Sequence, residues 1–317
     1  MRNSRPIPLG LLGSALLVSA AACGGGGGSS SGFESSSGTA SSSGAASSSG
    51  DISSSSGASG VTSDGCSDAA KLVYVVSNEN DLYSFKPDTL QFTRIGALNC
   101  RAGGFATPNS MAVDRTGTAW VNYSDGSLFK VSTKDATCQS TPFQPLQHQF
   151  ERFGMAFSAN SAGAKEETLF VVGITGTTGS ANDGQGLGKI DLGTFKLDLV
   201  GDFSGSLRRK GAELTGTGDG KLYGFYTTVP ANLAEIAKDT AATPSPRTLN
   251  GVQTGSAWAF SFWGGDFWFY TAAAGETSKV TRLKTATDNS ISVVKSNLGF
   301  MIVGAGVSTC APTTPPK

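Results

Sequence analysis

Ile302-Val303-Gly304-Ala305-Gly306-Val307-Ser308-Thr309 is an apolar strand pattern made largely of small residues, near the carboxyl end of a 317-residue chain. Its segment Gly304-Ala305-Gly306-Val307 is the last of a series. The earlier members are Ser110-Met111-Ala112-Val113, Gly154-Met155-Ala156-Phe157, Gly211-Ala212-Glu213-Leu214 and Ser256-Ala257-Trp258-Ala259. Strands that recur with small side chains are strands that must lie close to their own copies, as where several sheets crowd a common axis. A second series keeps step with the first: Leu82 with Phe85, Leu128 with Val131, Leu187 with Ile190, Leu233 with Ile236, and Val280 with Leu283. Their starts lie 46, 59, 46 and 47 residues apart, and the long interval holds a Gly/Thr/Ser-rich insertion, residues 175–185.

The rest of the region reads as strand. Leu72 to Val76, Ala119 to Tyr123, Thr168 to Val172, Lys221 to Tyr226 and Phe267 to Thr271 are rich in β-branched and aromatic residues. Asp125-Gly126, Asp183-Gly184, Asp219-Gly220 and Gly264-Gly265-Asp266 supply the positive φ that hairpins need. Ala231 to Lys238 is the nearest approach to a helical period and fits a short strand equally well. Units of about 47 residues with four strands each define blades of a β-propeller. The fold class is therefore all-β, a five-bladed β-propeller with six blades as the alternative count.

The first unit, Leu72 to Leu98, has room for only three strands, and the stretch quoted at the outset is the missing inner one. The ring thus closes by pairing its two ends, which brings Cys310 beside Cys66. A disulfide there encloses most of the domain, for which the chain-entropy model gives on the order of 5 kcal/mol. Cys100 with Cys138 follows by elimination. Zinc is the competing use of these four cysteines, but no close Cys pair exists and His148 is the sole histidine.

Upstream, Arg2 and Arg5 precede an apolar run from Ile7 to Ala22 that has the layout of an export signal. Its end, Ala20-Ala21-Ala22-Cys23, resembles the lipoprotein signal, with Ala20 where that family usually has Leu. The resemblance implies removal of residues 1–22 and acylation of Cys23, and Gly24 in place of Asp implies the outer membrane; cleavage beside Ala22 without acylation, giving a secreted protein, is the alternative. Ser-Ser-Ser-Gly recurs at Ser29, Ser35, Ser41 and Ser47, and again at Ser54. Residues 23–65 have little to bury and read as a disordered tether, with a reach of roughly 35 Å for a Gly/Ser chain. Residues 66–310 form the propeller and 311–317 a disordered tail.

Loss of Arg2 and Arg5 leaves 22 basic against 24 acidic residues, so no basic field attracts nucleic acid. Gly216 to Lys221 and Gly184 to Gly188 look like phosphate loops, but the first has Thr215 and Leu222 where Gly and Ser or Thr are required, and the second has no helix after it. Both read as hairpin turns.

The repeat resembles the broad group of exported bacterial propellers that includes NHL-type, lactonase-like and lipoprotein members, over residues 66–310. Lactonase-like members hold a divalent metal in the axial channel with Glu, Asn and Asp from inner strands. Here Glu213 alone clearly occupies such a strand, flanked elsewhere by Asn109 and Asp114, so the cluster is not reproduced and no cofactor is expected. The tether, the ring and the absence of catalytic spacing point to a surface-anchored binding or scaffolding module of the cell envelope that recognises a protein or glycan. The alternative is a metal-assisted hydrolase, with Glu213 as ligand and Asp114 or Glu151 assisting.

Loops that enter inner strands share one face of a propeller, here termed the upper face. They carry Arg101, Asn109, His148, Glu151, Arg152, Arg208, Arg209 and Lys210, and Glu213 follows just inside its strand. These residues form the expected binding face; the plainer reading is a solvated rim, with Glu213 neutralised by a neighbouring Arg. His148 lacks a Ser or Cys partner motif for catalysis. Trp258 to Tyr270 holds Trp258, Trp263 and Trp268 among four phenylalanines. That hairpin reads as packing between blades, with a sugar-binding platform as the competing use and Trp263, at the Gly264-Gly265 turn, as the exposed exception.

Overall fold

The computed structural model describes residues 65–174 and 184–316. The export segment, Cys23, the serine-glycine hexads and most of the 175–185 insertion lie outside the described residues.

Among the described residues, twenty strands form five antiparallel four-stranded sheets. The first sheet pairs β20 (Ile302–Val307) with β1 (Val73–Ser77), β2 (Asp81–Lys86) and β3 (Gln91–Ala97), in that order outward. The second runs β4 (Pro108–Val113), β5 (Thr118–Tyr123), β6 (Leu128–Ser132) and β7 (Cys138–Ser140). The third runs β8 (Arg152–Ala159), β9 (Glu167–Ile174), β10 (Gly184–Ile190) and β11 (Leu197–Gly201). The fourth runs β12 (Ala212–Gly216), β13 (Leu222–Tyr226), β14 (Asn232–Glu235) and β15 (Arg247–Thr248). The fifth runs β16 (Ala257–Trp263), β17 (Asp266–Ala272), β18 (Lys279–Leu283) and β19 (Ile291–Lys295). The chain is a five-bladed β-propeller, which retires the six-blade count. Both repeat series fall where expected, the small-residue series on the inner strands and the Leu-x-x-apolar series on the third, except that Ile236 lies just past β14.

Burial explains the contrast between inner and outer strands. β12 is buried throughout, whereas β3 and β19 alternate exposed and half-buried positions because only one face of an outer strand meets a neighbour. The inner strands of successive blades touch around the axis. A Cβ on Gly154 of β8 would stand 2.1 Å from the Ala212 carbonyl oxygen, and one on Gly216 of β12 would stand 2.0 Å from that of Phe157. Only glycine permits that approach, which is the physical content of the small-residue series.

Ring closure follows the expected plan. β20 pairs with β1 through Val73 opposite Val307, Tyr74 opposite Gly306 and Val75 opposite Ala305. Beneath this pairing Cys66 and Cys310 are disulfide-bonded, with Cα atoms 5.7 Å apart. Ser308 Oγ donates to the Ala70 carbonyl at 2.7 Å. A second disulfide joins Cys100, in the loop before β4, to Cys138 of β7. The segment after Cys310 does not trail away as expected: the Gly264 amide donates to the Pro312 carbonyl at 2.7 Å. Pro315 and Pro316 lie against the same Gly264-Gly265 turn.

The aromatic hairpin supplies packing between blades. Phe260, Phe267 and Phe269 form a cluster with Phe225 of the fourth blade, and Trp268 and Tyr270 meet Phe85 of the first edge-on. Trp263 is not the exposed exception. Its indole N–H donates to the Lys71 carbonyl at 2.8 Å, and its ring packs into the core between the fifth and first blades.

Candidate functional site

Alternation of strand direction places the start of every inner strand on the upper face. There the five blades bound a pocket of about 190 Å³. Pro108 and Asn109 come from the second blade, Arg152 from the third, Glu213 from the fourth, Ala257 and Trp258 from the fifth, and Val303 from the first, with Thr107, Ser124, Ile174 and Ser256 at the margin.

Glu213 is only 4 % exposed. Its carboxyl receives a hydrogen bond of 2.7 Å from Ser110 Oγ, which is fully buried. Ser110 belongs to the second blade and Glu213 to the fourth, so the bond crosses the axis. Burial pushes the Glu213 carboxyl well above the usual carboxylate range, and the Ser110 hydrogen bond opposes that shift only in part. The protonated, uncharged form is the one that this burial favours. Among the described residues no ion pair includes it, so neutralisation by a neighbouring Arg is not the device used.

Asn109 Nδ2 donates to Asn122 Oδ1 and to the Phe153 carbonyl, each at 3.2 Å. Those two bonds fix the amide and leave its Oδ1 with no partner among the described residues. The four indole groups show a parallel contrast. Trp120 donates to Asp114 at 3.0 Å, Trp263 to Lys71 at 2.8 Å and Trp268 to Trp263 at 3.1 Å. Trp258, which the sequence assigned to packing, is half-buried on the pocket wall and has no indole partner among the described residues.

Of the residues expected on the binding face, the pocket brings together Asn109, Arg152 and Glu213. The others stay on surrounding loops of the same face. Arg101 and His148 are exposed, the latter in a left-handed conformation within the turn Gln147–Gln149. Glu151 lies just before β8. Arg208 pairs with Asp202 at 3.3 Å, and the Arg209 amide donates to the same carboxylate; Lys210 follows them without reaching the pocket wall. Asp114 sits at the opposite end of β4 from Asn109, where its carboxylate accepts from Thr116, Thr118 and the Trp120 indole. It does not approach Glu213. Among the described residues no group of three or more His, Cys, Asp and Glu side chains is placed to hold a metal ion.

These features define a β-propeller with a small axial pocket of mixed polarity. No protein-family model matches the chain, and no curated protein matches it. Solved structures similar to it include the Dos1 propeller, 11% identical with a TM-score of 0.41, covering 72% of this chain and 56% of that one. TolB from Acinetobacter baumannii is 13% identical with a TM-score of 0.41, covering 71% and 52% respectively. Kuenenia stuttgartiensis hydrazine synthase is 13% identical with a TM-score of 0.37, covering 73% and 67%. The chain thus spans little more than half the length of the Dos1 and TolB chains.

Proposed function

We propose that this chain is an exported, envelope-anchored binding module that takes its ligand in the upper axial pocket. The observation that carries this reading is the pocket itself: a concave site at the meeting point of all five blades, where Asn109 Oδ1 and the Trp258 indole N–H have no partner among the described residues. Pockets with apolar walls and a few fixed polar groups are the usual form of a ligand site. The export leader and Cys23 support an envelope location with acyl anchoring at the outer membrane, and two disulfides suit an oxidising compartment. A metal-assisted hydrolase has no gathered ligand set to support it among the described residues.

The test uses the full chain with Cys23→Ser, immobilised and exposed to envelope extracts. Retained material should fall about tenfold, a loss of about 1.4 kcal/mol, in the double variant Asn109→Leu, Trp258→Ala. It should be unchanged in Lys221→Ala, on the lower face. Equal retention by all three proteins rejects the pocket as the binding site.

A further inference from the structure

We infer that the axial pocket takes an uncharged, polyhydroxylated ring of monosaccharide size, either as a free sugar or as the terminal residue of a glycan. This rests on the reading of the pocket as a ligand site and names the ligand class.

Three features of the wall lead there. The first is size. A volume of about 190 Å³ lies below the ~300 Å³ at which sites for drug-sized ligands begin, and it suits a single ring.

The second is the mixture of hydrogen-bonding groups. Asn109 Oδ1 is an acceptor, the Trp258 indole N–H is a donor, and the Glu213 carboxyl is an acceptor that becomes a donor too in the protonated form that burial favours. An ammonium ligand only donates and a carboxylate ligand only accepts, so each leaves one kind of group unmatched. A hydroxyl does both. Arg152 adds guanidinium donors to the wall, which hydroxyl oxygens can accept, and Glu213 is buried with Ser110 as its hydrogen-bond donor, a setting that disfavours its charged form.

The third is the Trp258 ring. Trp120 and Trp268 each carry a cation over the ring, Lys130 and Arg282 at 4.9 Å, and Trp263 packs into the core beside the first blade. Trp258 packs against the apolar cluster between the fourth and fifth blades and also borders the pocket, beside Val303 and Ala257. An amphipathic aromatic of this kind meets the C–H face of a sugar ring and keeps a polar handle for its hydroxyls.

The experiment follows the Trp258 indole N–H resonance of the full chain by NMR during titration with glucose, galactose, mannose and N-acetylglucosamine. Tetramethylammonium and acetate serve as charged controls. At least one neutral sugar should shift the signal saturably, with Kd at or below about 10 mM and unchanged between pH 5 and pH 8. Glu213→Gln, which mimics the protonated acid, should keep that affinity. Glu213→Leu should weaken it by about tenfold or more; in Trp258→Ala and Trp258→Phe, which lack the reporting indole, affinity is read from the sugar's own resonances and should fall by about tenfold or more and by less, respectively, with circular dichroism confirming that each variant is folded. A methyl glycoside or an oligosaccharide ending in the same sugar binds equally if the natural ligand is a glycan terminus, and fails if it is the free sugar. Should only tetramethylammonium or acetate shift the resonance, the ligand class is wrong and the pocket reading stands. Should no probe shift it, both fall.

Discussion

Ser110 and Glu213 meet across the propeller axis: a hydroxyl from the second blade donates a 2.7 Å hydrogen bond to a carboxyl from the fourth, with the third blade lying between them in the ring. Folding raises the affinity of this carboxyl for its proton, so the folded state holds more protons than the unfolded chain above the ordinary carboxyl range. Stability from this group is fully present at acid pH and declines as pH rises toward the folded-state value. Glu213→Gln should therefore match the parent near pH 4 and exceed it increasingly at pH 7 and above, as measured by thermal midpoints across that range. Glu213→Ala, which leaves Ser110 without its acceptor and opens a cavity, should lose about 2 kcal/mol or more at every pH.

A second, half-buried acid acts at the lower face. Glu167 accepts from the Arg115 amide at 2.8 Å and from Thr309 Oγ1 at 2.7 Å, linking the second and third blades to the closing segment. Burial pushes its carboxyl up to about 7, against the pull of those two hydrogen bonds. The sign is the same as for Glu213, but the window is bounded: the contribution is lost between the unfolded carboxyl value and about 7. Denaturant midpoints of the parent should fall between pH 5 and pH 7.5. In Glu167→Gln that slope should flatten; an unchanged slope would remove Glu167 as its source.

The two disulfides should contribute unequally. Cys66 and Cys310 are 244 residues apart, Cys100 and Cys138 only 38. The chain-entropy relation gives on the order of 5 kcal/mol for the first and about 4 for the second. The paired replacement Cys66→Ser, Cys310→Ser should lower the chemical-denaturation free energy more than Cys100→Ser, Cys138→Ser. The reverse order would mean that closure is held by the β1 and β20 pairing alone.

Two aromatic residues of one strand should separate stability from binding. Phe260 is fully buried against Phe225, Phe267 and Phe269, and Phe260→Ala should cost about 3 to 5 kcal/mol. Trp258→Ala, two residues earlier on the pocket wall, should cost less in denaturant titration while removing ligand binding.

The architecture was legible because a blade is defined by recurrence, and the residues that recur answer to one constraint. Gly154 and Gly304 are small where inner strands crowd together; Leu82 and Leu128 are large where third strands fill the space between blades. The site was legible only in part, because it is made of exceptions to the recurrence. In the third column of the small-residue series Ala112, Ala156 and Gly306 are replaced by Glu213 and Trp258, and both replacements border the pocket. Glu213 drew notice as a charge in a strand. Trp258 packs between blades as its aromatic run implies, and it also borders the pocket, a second contact that composition does not show. Arg208 and His148 lie on upper-face loops outside the pocket wall. Their loops are shaped by local bonds, such as those to Asp202, that bear no relation to the spacing of the strands.

The bond between Cys66 and Cys310 makes the domain a covalent circle. Every blade and every upper-face loop lies inside it, so a single peptide cleavage anywhere between the two cysteines opens the circle without releasing a fragment. A protease that reaches a loop beside the pocket leaves a nicked ring whose halves stay attached to each other and to the segment that precedes Cys66. A first cut is thereby converted from a loss of the domain into a local wound.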